Sequence, residues 1–394
     1  MPPNPMVARA CPSPLSWGDR WRLWRDQTLA SPRFQRWASG VPVLRWIARR
    51  RARAVFDLVA GFVYSQVLEA CIRLRLFQHL ANGPLTLPEL AQRLSLTSEQ
   101  AQRLLLAAVS LRLVEHRQRN RFGLGSLGAP LLGNTAVEAM VLHHGALYAD
   151  LRDPVALLRG EAAQTALGAY WPYAVQPNVP ARTSEAATLQ VAAYTALMAA
   201  SQPLVADGIL DAYPMQRHQH LLDLGGGDGS FIASVAQRHS HLRFTLLDLP
   251  EVAVRARLKL NERGLQHRVQ VVDGSFFNQP LPAGADLVTL VRVVHDHDDA
   301  AALAILRAAR SALQPGGVVL LAEPMSDTPG AEPMGDAYFG FYLLAMGQGR
   351  PRTATELSAM LLAAGFSKAR LLSTRMPLQT QVLLATAVAL PDKK

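Results

Sequence analysis

The stretch "LLDLGGGDGSF" (221–231) decides how the second half of this 394-residue chain is read. A short apolar run passes into glycines at 225, 227 and 229 and then into an apolar segment that suits a helix. Glycines in such a turn accept left-handed backbone and let a ligand approach the main chain closely. The dinucleotide fingerprint G-x-G-x-x-G fails at its sixth position, which is Ser230. No Lys-Ser/Thr pair follows, so the loop is not a phosphate-cradling P-loop either.

The next apolar run, "RFTLLD" (243–248), ends in Asp248, where an α/β nucleoside site places a carboxylate to accept bonds from both ribose hydroxyls. The combination implies a nucleoside without phosphates, with S-adenosylmethionine as the leading candidate. Further runs are "HLLDL" (220–224), "RVQVV" (268–272), "DLVTLV" (286–291), "GVVLLA" (317–322) and "QVLLATAVAL" (381–390). Helical segments separate most of them, an alternation that predicts a doubly wound α/β sheet.

The run 286–291 leads into "VRVVHDHDDA" (291–300), with two histidines and three aspartates in five positions. Such a cluster could be an acid–base set, a group of metal ligands, or a helix start whose acids complement the dipole.

The first half reads differently. Thr86 with Glu89, and Thr97 with Gln100, each precede a Leu-rich run as a capping box. "LVEHRQRNRFGL" (113–124) then predicts two short strands, completing a winged-helix pattern. A DNA-binding reading finds little support, because the candidate recognition helix, about 98–111, offers only Arg103 and Arg112 as cations. Packing, dimerisation or closure over substrate suits that face better.

Residues 1–60 hold 11 arginines, no lysine and three aspartates, so +8 of the formal +10 lies there, with five of the six tryptophans. Trp17, Trp21 and Trp24 share one helical face, and "RWIARRRAR" (45–53) adds five arginines. This composition suits either an anionic membrane interface or an arm packed on the protein or a partner subunit. Cys11 and Cys71 give no disulfide framework, no secretory h-region is visible, and no apolar stretch reaches the length of a bilayer span. A soluble, intracellular protein is expected.

From about 190 to 390 the chain resembles the S-adenosylmethionine-dependent O-methyltransferases that act on small molecules. The matching stretches are "LLDLGGGDGSF", "LLDLPEV", "ADLVTLVRVVHDHDD", "LQPGGVVLLAEPM" and "PRTATELSAMLLAAGF". Finer features in "SPRFQRWASGVPVLRWIARRRARAVFDLVAGFVYSQVLEAC" and "EPMGDAYFGFYLLAMGQGRPR" are similar to the branch that methylates 1-hydroxycarotenoids in purple phototrophic bacteria. A relative acting on the bacteriochlorophyllide macrocycle is the alternative within the family. A winged-helix transcriptional regulator is the alternative outside it.

The resemblance implies a Rossmann-like class I methyltransferase sheet preceded by an all-helical, winged-helix dimerisation domain. The expected division is a basic arm (1–53), a dimerisation domain (54–125), a helical connector and substrate-pocket segment (126–217) and a catalytic domain (218–394). His295 matches the family's general base, and Glu323 in "LLAEPM" the carboxylate that flanks it. Asp223, Gly225, Gly227, Gly229, Asp248, Leu249, Ser275, Phe276, Arg292, Met198 and Ser201 are expected around S-adenosyl-L-methionine. Tyr148, Trp171, Phe339, Tyr342, Leu343 and Met346 are expected to line the pocket of a lipophilic small-molecule substrate. The resemblance further implies a homodimer, no metal ion, no nucleic-acid partner, and a cytoplasmic location with the arm as a peripheral contact to the inner or photosynthetic membrane. The chain departs from the family at three places: His297 replaces a common tryptophan, Ser275 a common aspartate (with Asp273 two residues earlier), and Pro351 a second base-flanking glutamate.

Overall fold

The computed structural model describes residues 15–162, 164–170, 185–377 and 380–388, so Trp171 lies outside the described residues. The chain forms two compact units, Met1–Ala129 and Pro130–Lys394.

In the first unit, helices α1 (Trp17–Ala30), α2 (Pro32–Gly40) and α3 (Pro42–Arg73) precede α4 (Leu76–Leu80), β1 (Leu85–Thr86), α5 (Leu87–Arg93), α6 (Ser98–Ser110), β2 (Val114–Arg117) and β3 (Arg121–Leu124). The strands form a small antiparallel sheet in the order β1-β3-β2. Both capping boxes form: Glu89 accepts the Thr86 N–H at 2.7 Å, while Thr97 and Gln100 exchange bonds of 3.0 and 3.2 Å. This is the winged helix expected from the sequence. On its second helix, α6, Arg103 lies 3.3 Å from Glu99, which halves the positive charge available to a duplex.

One expectation is corrected here. Helix α3 contains an 18-residue window with a mean hydropathy of 1.5, long and apolar enough by composition to cross a membrane. Counting uninterrupted apolar residues missed it, because Asp57, Ser65, Gln66 and Glu69 break the run without lowering its mean enough. Only 11% of that window is buried, and Val55, Phe56, Leu58, Val59, Phe62 and Val63 are exposed. The helix runs unbroken through position 53, so the arm and the winged helix share it.

The second unit begins with helices α7 (Thr135–Asp150), α8 (Pro154–Leu158), α9 (Ala166–Tyr170) and α10 (Glu185–Ala212). There follow β4 (His220–Leu224), α11 (Ser230–Arg238), β5 (Arg243–Asp248), α12 (Pro250–Glu262), β6 (Val269–Asp273), β7 (Ala285–Val291), α13 (Asp299–Ala312) and β8 (Leu313–Glu323). A π-helix (Pro333–Phe339) continues into α14 (Gly340–Met346), and α15 (Ala354–Ala363), β9 (Arg370–Leu372) and β10 (Gln381–Thr386) complete the unit. The sheet order is β6-β5-β4-β7-β8-β10-β9; the first five strands are parallel, and β10 and β9 are antiparallel additions.

Strand β4 shows why this sheet forms. Its side chains alternate between two buried layers, with Leu221 packed against α10, α11 and α12, and Leu222 and Leu224 against α13 and α15. A strand covered on both faces is largely apolar, which is why 220–224 reads as an apolar run broken within by Asp223. The strand order reverses between β4 and β7, and their C-terminal ends therefore open a crevice suited to a ligand.

Candidate active site

The glycine loop leaves the end of β4 with φ values of +68° at Gly225 and +61° at Gly227, conformations that side chains rarely accept. At Gly225 space is also short: a Cβ would fall 2.8 Å from Val293. The half-buried Asp248 stiffens the loop from β5. Its Oδ2 accepts the Gly227 N–H at 2.8 Å and its Oδ1 the Leu249 N–H at 2.7 Å. Each oxygen keeps a second lone pair, so a ribose diol can be gripped without rearrangement. Burial pushes this carboxyl up to about 6 against the pull of the two amides.

Asp223 completes this side. It is buried, with Oδ1 accepting the Thr289 hydroxyl at 2.6 Å and Oδ2 finding no partner among the described residues. Burial pushes the carboxyl up to about 7. An unmet acceptor beside a glycine cradle fits the ammonium of an amino-acid moiety. The residues present therefore suit S-adenosylmethionine, with Asp248 for its ribose and Asp223 for its amino group.

Replacing Asp248 by alanine removes the acceptor of two amides and of the ribose. The dissociation constant for S-adenosylmethionine, measured by calorimetry, should rise on the order of a hundredfold, which corresponds to about 3 kcal/mol of lost charge-assisted bonding.

The base side starts at Arg292, whose φ of +56° swings the chain out of β7 into a 3-10 turn, Val294–Asp296. Glu323, buried at the end of β8, meets that turn. Its Oε1 accepts the Val293 and Val294 N–H groups at 3.1 and 2.8 Å, and its Oε2 bonds His295 Nδ1. The expected pair is therefore formed. Burial alone would depress the His295 pKa, but the Asp296 and Glu323 carboxylates outweigh it and hold the imidazole above its ordinary value.

Asp296 is the residue that sequence reading missed. Its buried carboxyl lies 3.1 Å from His295 Nε2, and burial pushes it up to about 6. Nothing in the spacing signals this, because the 3-10 turn folds the side chain back.

The rest of the acidic cluster also has other work. Helix α13 begins at Asp299, but Asp298 accepts the Gly349 N–H at 3.1 Å, and Asp299 binds Arg350 and Arg352. His297 packs edge-on against Phe276 and Phe277, with centroids 5.7 and 5.6 Å away, and burial pushes its pKa down to about 4. An aromatic contact thus persists where tryptophan is common. Asp273 is held by Arg257 at 2.5 Å, and Ser275 accepts the Phe277 N–H at 3.2 Å. Among the described residues, no three His, Cys, Asp or Glu side chains converge as metal ligands would.

Arg292 meets Met198 and Ser201 as a group, donating to the Met198 carbonyl at 3.0 Å and the Ser201 hydroxyl at 2.7 Å. Beyond this turn, Phe339 stands edge-on to His295 with centroids 6.0 Å apart. Tyr342 bonds His143 of α7, and Tyr338 bonds His144, both at 2.8 Å; Tyr148 packs edge-on to His144. Leu343 and Met346 are buried with Leu147, Leu157 and Leu167 in a small core behind this aromatic group. Of the residues expected at the substrate, Phe339 packs against His295.

The sheet order, glycine cradle and strand-end carboxylates together define a Rossmann-like S-adenosylmethionine-dependent methyltransferase. The O-methyltransferase domain family matches residues 148–367, and the O-methyltransferase dimerisation domain matches 56–137. The chain belongs to the family of S-adenosylmethionine-dependent O-methyltransferases. Demethylspheroidene O-methyltransferase of Cereibacter sphaeroides is 41% identical over 347 residues, covering 86% of this chain and 88% of that one. The enzyme of the same name from Rhodobacter capsulatus is 38% identical over 345 residues, covering 88% and 84%. Human N-acetylserotonin methyltransferase, solved with S-adenosylmethionine, shares the fold with a TM-score of 0.70 at 24% identity, over 86% of this chain and 98% of that one.

Proposed function

We propose that the protein methylates the C1 hydroxyl of an acyclic 1-hydroxycarotenoid, with His295 as general base. The observation that carries this reading is the likeness to two demethylspheroidene O-methyltransferases along more than four-fifths of the chain. Phe339, edge-on to His295, supports a lipophilic acceptor.

Bound S-adenosylmethionine would supply an electrophilic methyl on a positive sulfonium and, as the methyl–sulfur bond breaks, would leave as the neutral thioether S-adenosylhomocysteine. A tertiary hydroxyl is too weak an acid to be ionised first by an imidazole, so its proton leaves for His295 Nε2 as the new C–O bond forms. Glu323 holds Nδ1 as the proton-bearing nitrogen, Nε2 takes the substrate proton beside the Asp296 carboxyl, and the two carboxylates stabilise the imidazolium that results. Holding the acceptor oxygen in line supplies most of the remaining acceleration.

The test is methyl transfer from labelled S-adenosylmethionine to detergent-dispersed 1-hydroxycarotenoids. Label in a carotenoid ether is the expected result. Label entering a bacteriochlorophyllide instead would keep the chemistry and overturn the substrate. No transfer to either, together with specific binding to an operator, would favour the regulator.

A second copy of the chain is the natural cover for the exposed apolar face of α3, within which the matched dimerisation domain begins. The arm before it has another use. Helix α1 buries none of its residues; Trp17, Trp21 and Trp24 are 87%, 59% and 62% exposed, with Arg20 and Arg25 stacked on Trp17 and Trp21. Amphipathic aromatic rings beside arginines suit an anionic bilayer surface on the cytoplasmic side, where a carotenoid is dissolved. Changing the three tryptophans to alanine together should weaken co-sedimentation with phosphatidylglycerol vesicles by about tenfold or more. Turnover of detergent-dispersed substrate should be unaffected; undiminished vesicle binding would reassign the arm to protein contacts.

A further inference from the structure

We infer that Arg352 is a positioning residue for the base, clamping the turn that carries His295 against the end of the strand that carries Glu323. This rests on the reading of His295 as base. A three-residue 3-10 turn has little rigidity of its own. Here two of its carbonyls and that of His297, just after it, are fastened to one short loop, 349–352. The Arg352 guanidinium donates to the Val294 carbonyl at 3.0 Å and the His297 carbonyl at 2.7 Å, so it brackets His295 on both sides. The Arg350 N–H donates to the His295 carbonyl itself at 2.9 Å.

Arg352 is 2% exposed, and a buried cation needs a counter-charge. Asp299 provides it, 2.9 Å from Nε, and is gripped by Arg350 as well at 3.1 Å. Lysine, with a single nitrogen, cannot span the two carbonyls and the carboxylate as a planar fork does. The loop lies flat on the turn because Gly349 has φ +80° and a Cβ there would sit 2.3 Å from the His295 carbonyl oxygen. The other end of the clamp is fixed too. The Arg352 carbonyl accepts the Ser326 N–H at 3.1 Å, just beyond β8, and Thr353 with Glu356 caps α15. The loop thus ties the His295 turn to the strand end that holds Glu323.

The test uses Arg352→Met and Arg352→Lys, with Asp299→Asn as a surface variant that keeps the core filled. Single-turnover methyl transfer to 1-hydroxycarotenoid should fall about a hundredfold in the two Arg352 variants and about threefold to tenfold in Asp299→Asn, with S-adenosylmethionine affinity unchanged. In a His295→Ala background, Arg352→Met should cause no further loss. Hydrogen exchange should rise in the peptide spanning 293–298 and not in β4 or β5. A loss additive to that of His295→Ala, weakened cofactor binding, or exchange raised throughout the sheet would overturn the inference in favour of general stability. Unchanged exchange at 293–298 overturns it as well. If His295→Ala retains full activity the base reading fails, and the exchange result still decides whether Arg352 holds the turn.

Discussion

Replacing His295 by alanine should lower the single-turnover rate of methyl transfer by about 10²- to 10⁴-fold, the range spanned by positioned proton transfer. S-adenosylmethionine binding should stay within about twofold, because the residues proposed to hold it, Asp223 and Asp248, lie on other strands. Rapid-quench measurement at saturating cofactor separates the two effects. An unchanged rate would remove the imidazole from the chemistry and leave positioning of the acceptor as the sole source of acceleration.

Glu323→Gln should cost nearly as much for a subtler reason. Glutamine keeps an oxygen for the Val293 and Val294 N–H groups, so the turn stays in place. It presents an amide N–H₂ where Oε2 now accepts from His295 Nδ1. Nδ1 must then become the acceptor, which moves the ring proton to Nε2 and leaves no lone pair facing the substrate. A loss of about 10³-fold is expected from this wrong tautomer. The pH profile carries a second signature. In the wild type the carboxylates hold His295 above the ordinary imidazole value, so the rate falls as pH drops through a point above about 6.5. Removing the Glu323 charge lets burial count for more, and the residual activity should lose its acid limb at lower pH. A limb that stays in place would mean that Asp296 sets the titration.

Much of the site was legible because strand ends are local objects. Gly225, Asp248, His295 and Glu323 each close an apolar run, and a doubly wound sheet brings such ends together whatever the intervening helices contain. What stayed hidden depends on backbone direction over a few residues. The Asp296 carboxyl reaches Nε2 only because the chain leaves β7 through a left-handed Arg292 and a tight turn. Arg352 looks like any surface arginine in sequence, and its burial follows from two carbonyls more than 50 residues away in the chain closing over it. The short edge strand β9 was missed because three residues carry no readable alternation.

The aromatic group on α7 and α14 has a bearing on ancestry. The chemistry rests on strand ends of the sheet, whereas Tyr148, Phe339 and Tyr342 belong to helices outside it. His143 with Tyr342, and His144 with Tyr338, satisfy one another across those helices, so a paired substitution can reshape that wall while β4, β7 and β8 stay as they are. On the proposed reading, a lineage built this way can change its acceptor by drift in these helices and inherit its methyl-transfer machinery intact.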